Sequence, residues 1–265
     1  MRKPTENIER PLISIITPVY NAERSISETI ESVKNQTYTN WEMLLVNDAS
    51  TDASKSIIEK LASEDIRIKT KNFSENKGAA FCRNEATKLA KGDYIAFLDS
   101  DDLWHPEKTE KQLAFMLCND CDVSFTSYLH IDQMGNSLHK RVIALPNLSY
   151  DKLRLNNYIG NLTGMYNAKQ LGKIYSPPMR KRQDWALWLE AMYLSGKPAL
   201  GLQEDLAQYR ITKNAMSANK ASLVKYNYRF YREYLGYSSF KAFYFLMRFF
   251  TEYFFVRPRY IERIK

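Results

Sequence analysis

Glycine, cysteine and histidine are scarce in this 265-residue chain, at nine, three and three. No G-x-G-x-x-G follows the first apolar run, and no G-x-x-x-x-G-K-[ST] occurs anywhere. The two common glycine cradles for a nucleotide diphosphate are therefore missing. Three cysteines (Cys82, Cys118, Cys121) cannot build a disulfide framework. The C-x-x-C of Cys118 and Cys121 lacks two further ligands at zinc spacing, because His105, His130 and His139 are scattered. Reduced thiols in a cytosolic protein are the expectation. The start, "MRKPTENIERP", is polar, so no signal peptide is expected. Repeats and low-complexity tracts are also lacking.

Hydrophobic residues make up 45% of the chain, enough for a sizeable core. The net charge of +8 is unevenly placed. From residue 220 to 265 there are ten Lys/Arg against three Asp/Glu, and 16 of the 35 aromatics. A nearly neutral body thus precedes a basic, aromatic C-terminus. Within the body, "PLISIITPVYN", "WEMLLVND", "IRIKT" and "DYIAFL" predict strands. Helices are predicted between them, the first opened by a Ser25/Glu28 capping box, the third stopped at Gly92. Pro106 suits the first turn of a further helix. "DVSFTSYLHID" and "SLHKRVIAL" flank the turn "QMGN", and "DWALWLEAMYLSG" predicts a helix ended by Gly196. Alternating strands and helices imply an α/β fold with a mostly parallel, Rossmann-like sheet. Thr17 to Asn21, Asp48 and Asp99 to Asp102 then share the carboxyl edge of that sheet, where ligands of open α/β folds bind.

At that edge Asp99, Ser100, Asp101 and Asp102 put three carboxylates into four residues. Water or a cation must offset their repulsion. Hard oxygen ligands suit Mg²⁺ or Mn²⁺, which would also neutralise a diphosphate that no glycine loop holds. In extended geometry Asp99 and Asp101 face the same side. Helix capping ahead of Pro106 is the bland alternative, and it accounts for one acid better than for three.

"SIITPVYN", "ESVKNQTYTNWEMLLVNDASTDAS", "NKGAAFCRNEA", "GDYIAFLDSDD" and "RQDWALWL" stand in the order, and near the spacing, of family 2 glycosyltransferases. Over about residues 11 to 212 the chain resembles these inverting, GT-A fold enzymes. It is most similar to bacterial enzymes of surface-polysaccharide and teichuronic-acid type. The resemblance implies a nucleotide-sugar donor, UDP-linked, a divalent metal (Mn²⁺ or Mg²⁺) and a saccharide or lipid-linked saccharide acceptor. By position, Pro18, Tyr20 and Asn21 would border the base and ribose. Tyr20 would stack on uracil and Asp48 would accept its N3–H. Arg83 and Asn84 would lie beneath the donor, and Asp99, with Ser100 beside it, would contact ribose. Asp101 would reach the metal–diphosphate, and Asp102 would lie near the donor sugar. Asp184 would be the general base. Without the resemblance, Asp48 reads as a cap for the Asp52 helix, Arg83 as a helix-surface pairing and Asp184 as a helix cap. Trp185 and Trp188 are expected to pack. Gln208-Tyr209-Arg210 stands where processive members carry Q-x-x-R-W, which favours single-sugar transfer. Asn47 replaces the first acid of a "DDGS"-type pair.

Residues 1–219 are expected to form the catalytic domain, with a nucleotide-sugar half over about 11–120 and an acceptor half over 121–219. Residues 220–265 would be a helical extension. In Phe240 to Val256 the charges Lys241, Arg248 and Glu252 fall on one helical stripe, and the segment is too interrupted to span a bilayer. It could pack on the catalytic domain or on a twin subunit in a homodimer. The favoured expectation is an anionic membrane surface, with Arg257, Arg259, Arg263 and Lys265 on headgroups. That would place the enzyme peripherally on the inner face of the plasma membrane. No nucleic-acid motif appears. Two rivals are a polyprenyl-phosphate sugar synthase and a catalytically silent nucleotide-sugar-binding module.

Overall fold

The computed structural model describes residues 10–211 and 220–264. The polar start, the segment after Arg210-Ile211 and Lys265 lie outside the described residues.

The first half alternates as the apolar pattern predicts: β1 (Ile13–Val19), α1 (Ile26–Lys34), β2 (Trp41–Asp48), α2 (Ser54–Glu64), β3 (Ile68–Phe73), α3 (Ala79–Leu89) and β4 (Tyr94–Phe97). Every residue of β1, β2 and β4 is buried, as befits parallel strands covered on both faces. The parallel order is β3-β2-β1-β4. It reverses between β1 and β4, so a crevice opens beyond their carboxyl ends.

The second half follows: β5 (Leu103–Trp104), α4 (Lys108–Cys118), β6 (Val123–Ile131), β7 (Ser137–Val142), β8 (Asn147–Leu148), α5 (Tyr150–Leu153), β9 (Met165–Asn167), α6 (Ala168–Leu171), α7 (Gln183–Ser195) and β10 (Ala199–Arg210). β9 runs antiparallel to both β4 and β6 and joins the halves into one sheet. β10 lies parallel to β6, with two register shifts of the β-bulge kind.

The alternating side chains of the strands feed two cores. Ile13, Ile15, Met43 and Leu45 pack under α1, α2 and α4. Ile16, Leu44, Val46 and Phe97 pack under α3 and α7. Gly196 ends α7 in the left-handed conformation, at φ 65°.

The C-terminal region joins the second of these cores. It comprises α8 (Lys220–Arg229), a π-helical turn (Phe230–Tyr234), α9 (Ser239–Thr251), a second π-helical turn (Glu252–Val256), a 3-10 turn (Arg257–Tyr260) and β11 (Ile261–Arg263). β11 pairs antiparallel with β7. Phe230 stacks on Trp185 with centroids 4.3 Å apart, and Trp185 Nε1 donates to Leu153 O at 2.7 Å. Ala242, Leu246 and Phe249 of α9 are buried beside them.

Three local expectations change. The Ser25 side chain makes no cap bond; its hydroxyl donates to Ser100 O at 2.9 Å, and Glu28 pairs with Arg210 instead. Gly92 follows α3 at a distance, and its role is close approach: a Cβ there would sit 2.6 Å from Ser14 N. The charged stripe expected on α9 is broken, since Glu252 turns inward to Tyr158 and Lys152. The packing alternative therefore holds for one stripe of α9. Phe240, Phe243, Tyr244 and Met247 remain exposed on another. Among the described residues no helix is long and apolar enough to cross a membrane.

Candidate active site

A cavity of about 680 Å³ lies at the β1/β4 switch point. Two non-glycine residues in the left-handed region turn the chain off the sheet around it: Asn21 (φ 48°) after β1 and Ala49 (φ 56°) after β2. Asn21 Oδ1 accepts from Thr51 N at 2.9 Å, which locks the two turns together. Pro18 and Tyr20 line the cavity, and Tyr20 is half exposed, at 52%. Asn21 braces this wall and is not among the lining residues.

Asp48 caps no residue of α2. Its two oxygens accept from Lys77 N at 2.7 Å and Gly78 N at 2.8 Å, at the entrance to α3. Gly78 adopts φ 89°, a region that an L side chain rarely enters. A carboxylate offers about four acceptor sites, so Asp48, which also lines the cavity, keeps capacity for another donor.

Arg83 of α3 points across to the end of β4. Its Nη2 donates to Asp99 Oδ1 at 2.5 Å and its Nη1 to Gln183 Oε1 at 3.1 Å. Asn161 Nδ2 also donates to Asp99 Oδ1, at 3.1 Å. The surface-pairing alternative for Arg83 does not hold, because this pair bridges two elements inside the cavity. Asn84, on the next helical position, faces elsewhere. It clamps Ser176 through two bonds of 2.8 Å and lines a neighbouring cavity with Arg180 and Gln183.

The three acids after β4 have three different environments. Asp99 is paired as above. Asp101 lines the cavity; burial, and then the charge of Asp99, push its carboxyl up to about 6. Asp102 is turned away and fully buried. Its Oδ1 accepts from Arg210 N at 2.9 Å, its Oδ2 has no partner, and burial holds it well above the usual carboxylate range. It does not line the cavity as expected. Arg210 fixes this loop: Nε donates to Asp101 O at 2.7 Å, Nη1 to Gln133 O at 2.9 Å and Nη2 to Glu28 Oε2 at 2.6 Å.

Asp184 lies in the first turn of α7, half-buried. The N-cap is Arg182, in the left-handed conformation at φ 70°, and no side chain caps this helix. The capping role thus falls away. Asp184 Oδ2 accepts from Asn157 Nδ2 at 2.8 Å. Arg257 Nη1 in turn donates to Asn157 O at 2.6 Å, so the C-terminal region braces the acid. Arg182 Nε donates to Asn227 Oδ1 at 2.7 Å. Asp184 is not a lining residue of the main cavity; it follows Gln183, which bonds Arg83, and its charge acts on the Arg83 guanidinium. Trp185 and Trp188 are buried and pack, as expected.

The structure thus brings Pro18, Tyr20, Asp48, Arg83, Asp99, Ser100 and Asp101 to one cavity. It adds Asn76, Arg180, Tyr209 and Arg210, which the motifs did not single out as site residues. Arg180 had a signal in the basic run before Asp184. Asn157 and Asn161 had none.

No group of three or more His, Cys, Asp or Glu among the described residues could hold a metal alone. A small hard cation at a nucleotide takes one or two carboxylates and completes its shell with phosphates and water. Asp101 fits that use: its carboxylate faces the cavity, largely desolvated and raised by a like charge, a state that a cation would relieve.

The family described as Glycosyl transferase family 2 matches residues 14–180. The chain is 44% identical over 224 residues to the putative teichuronic acid biosynthesis glycosyltransferase TuaG of Bacillus subtilis, covering 84% of this chain and 88% of that one. It is 36% identical over 214 residues to the Escherichia coli UDP-Glc:alpha-D-GlcNAc-diphosphoundecaprenol beta-1,3-glucosyltransferase WfgD, covering 81% and 83%. Among solved structures, S. aureus TarS 1-349 in complex with UDP-GlcNAc superposes with a TM-score of 0.71 at 21% identity, covering 93% of this chain and 74% of that one. That likeness shows the fold, a GT-A-like α/β sheet flanked by helices. On the sequence match and the shared architecture together, the chain belongs to glycosyltransferase family 2.

Proposed function

We propose that this glycosyltransferase moves one sugar from a UDP-sugar to a hydroxyl of a saccharide acceptor in cell-surface polysaccharide synthesis, with inversion and with a divalent metal. The observation that carries the reading is the cavity itself. Tyr20, Asp48, Asp99, Asp101, Arg180 and Arg210 line it together. The names of the relatives from B. subtilis and E. coli support the acceptor class.

In this reading Tyr20 stacks on uracil and Asp48 accepts from its N3–H. Asp99, held by Arg83, accepts from ribose. Asp101 is the residue that would hold Mn²⁺ or Mg²⁺, and such an ion supplies charge stabilisation to the leaving diphosphate. Arg180 and Arg210 add fixed positive charge beside it. Asp184, oriented by Asn157, takes the proton of the acceptor hydroxyl as its oxygen attacks the anomeric carbon opposite the diphosphate. The exposed aromatic face of α9, with Arg259 and Arg263, supports peripheral residence on an anionic membrane.

The test is UDP release from a panel of UDP-sugars with Mn²⁺, with and without saccharide acceptors. Acceptor-dependent release from at least one donor is expected. Binding of UDP-sugars with no release under any condition would favour a silent binding module.

A further inference from the structure

A second cavity, of about 590 Å³, lies between β6, β7 and the C-terminal region. Three cations line it, Lys140, Arg182 and Arg257, and among the described residues no carboxylate does. The guanidinium bonds given above run to neutral groups only, at Asn227 and Asn157, with one more from Arg257 Nη1 to Asn156 Oδ1 at 2.8 Å.

Two more polar atoms there are buried without a hydrogen-bond partner. One is Nδ2 of Asn156, a residue only 3% exposed. The other is Nε2 of His130. Burial, and then the charges of Lys140 and Arg257, push the His130 ring down to about 4. A site with three cations, an orphaned amide donor and no lining carboxylate suits an anion, although the charge of Asp184 also reaches Arg182. Planar guanidinium groups suit phosphate oxygens in particular.

The cavity also has an apolar side. Phe249, Tyr253 and Phe254 line it, and Phe254 is 60% exposed, beside Phe255 at 70%. The cationic end therefore shares its cavity with a greasy outer surface.

It adjoins the main cavity through one wall. Tyr209, which lines the main cavity, touches the rings of Tyr128 and His130, with centroids 6.2 Å and 5.7 Å away. Arg182 lies two residues before Asp184, and Asn156 lies next to Asn157, which holds Asp184.

We propose that this second cavity is an acceptor subsite that takes the diphosphate of a saccharide carried on an apolar chain. It rests on the glycosyl-transfer reading above and names the acceptor's anchor. The diphosphate meets Lys140, Arg182, Arg257 and the Asn156 amide. The chain leaves past Phe254. The attached sugar is then directed to Asp184.

The test is calorimetric titration of the full chain, saturated with UDP, with farnesyl diphosphate, farnesol and inorganic pyrophosphate. Farnesyl diphosphate is expected to bind without displacing UDP, at least about tenfold tighter than either of the other two, the equivalent of one good charge-assisted contact. Lys140→Glu should weaken it about tenfold or more, and Phe254→Ser should weaken it less. Among the described residues Lys140 makes no ion pair, so the first variant guards against a collapsed protein. Farnesol binding as tightly would overturn the anion site. Pyrophosphate binding as tightly would overturn the apolar arm. Displacement of UDP, or affinity unchanged in Lys140→Glu, would overturn the location. A protein that fails to bind UDP at all contradicts the proposed function instead.

Discussion

The two walls of the cleft are built by different means. On the donor wall, each βα unit delivers its own strand end, and the first units are tied by bonds spanning about one repeat. Asn21 to Thr51 and Asp48 to Gly78 each span 30 residues. On the acceptor wall the ties are long. Arg83 reaches Gln183 across 100 residues, and Arg257 reaches Asn157, which orients Asp184, also across 100. The first βα units of the donor wall are tied locally, the acid loop after β4 is fixed from β10 through Arg210, and the acid of the acceptor wall is braced from the C-terminal region.

That contrast can be broken by experiment. The largest effect is expected at Asp184. Asp184→Asn should lower transfer by about 10²–10⁴-fold, the usual range for a general base, with UDP-sugar affinity unmoved in calorimetry. Near-normal turnover with early unfolding would return Asp184 to a structural role. Next comes Phe230→Ala, which opens a cavity against Trp185. It should cost about 3–5 kcal/mol in denaturant unfolding, and the loss should appear in the whole domain. If only residues 220–264 lost hydrogen-exchange protection, the two regions would be separable after all. Arg257→Gln should act more weakly, lowering kcat by about tenfold, as expected for one lost charge-assisted bond. UDP affinity should hold, because Arg257 braces only the acceptor wall.

The smallest effect per step is a pH slope that belongs to neither wall. Lys108 of α4 is fully buried, with Nζ 3.9 Å from the Trp104 ring centroid and bonded to Gln112 Oε1 at 2.7 Å. Burial pushes its ammonium from 10.5 down to about 7. Above that pH the native state has released the proton while the unfolded chain still holds it. Stability should therefore rise between about pH 7 and 10.5, by up to about 1.4 kcal/mol per pH unit from this group. Lys108→Met should flatten the slope in denaturant titrations at successive pH values.

Much of the donor wall was legible because its signals are local. Apolar runs ending in Pro18, Asp48 and Asp99 marked strand ends, and parallel topology put those ends on one edge. What the sequence does not reveal depends on tertiary direction. Asp101 and Asp102 are adjacent, yet one faces the cavity and the other is buried under Arg210. Ser25 and Glu28 have capping-box spacing, yet Ser100 and Arg210 compete for them and win. Asn157 and Asn161 carry no motif at all; only the folded chain brings them to Asp184 and Asp99. The aromatic C-terminus was ambiguous because α9 has two faces, one fitted to Trp185 and one left outside.

The account depends most on the cavity beyond β1 and β4 being a metal-assisted nucleotide site. The direct measurement is a calorimetric titration with UDP, with and without Mn²⁺, on the wild-type protein and on Asp101→Asn. Mn²⁺ should tighten UDP binding by at least about tenfold in the wild type, and Asp101→Asn should lose that gain while melting normally. Equal UDP affinity with and without Mn²⁺, or a gain that survives in Asp101→Asn, would contradict it.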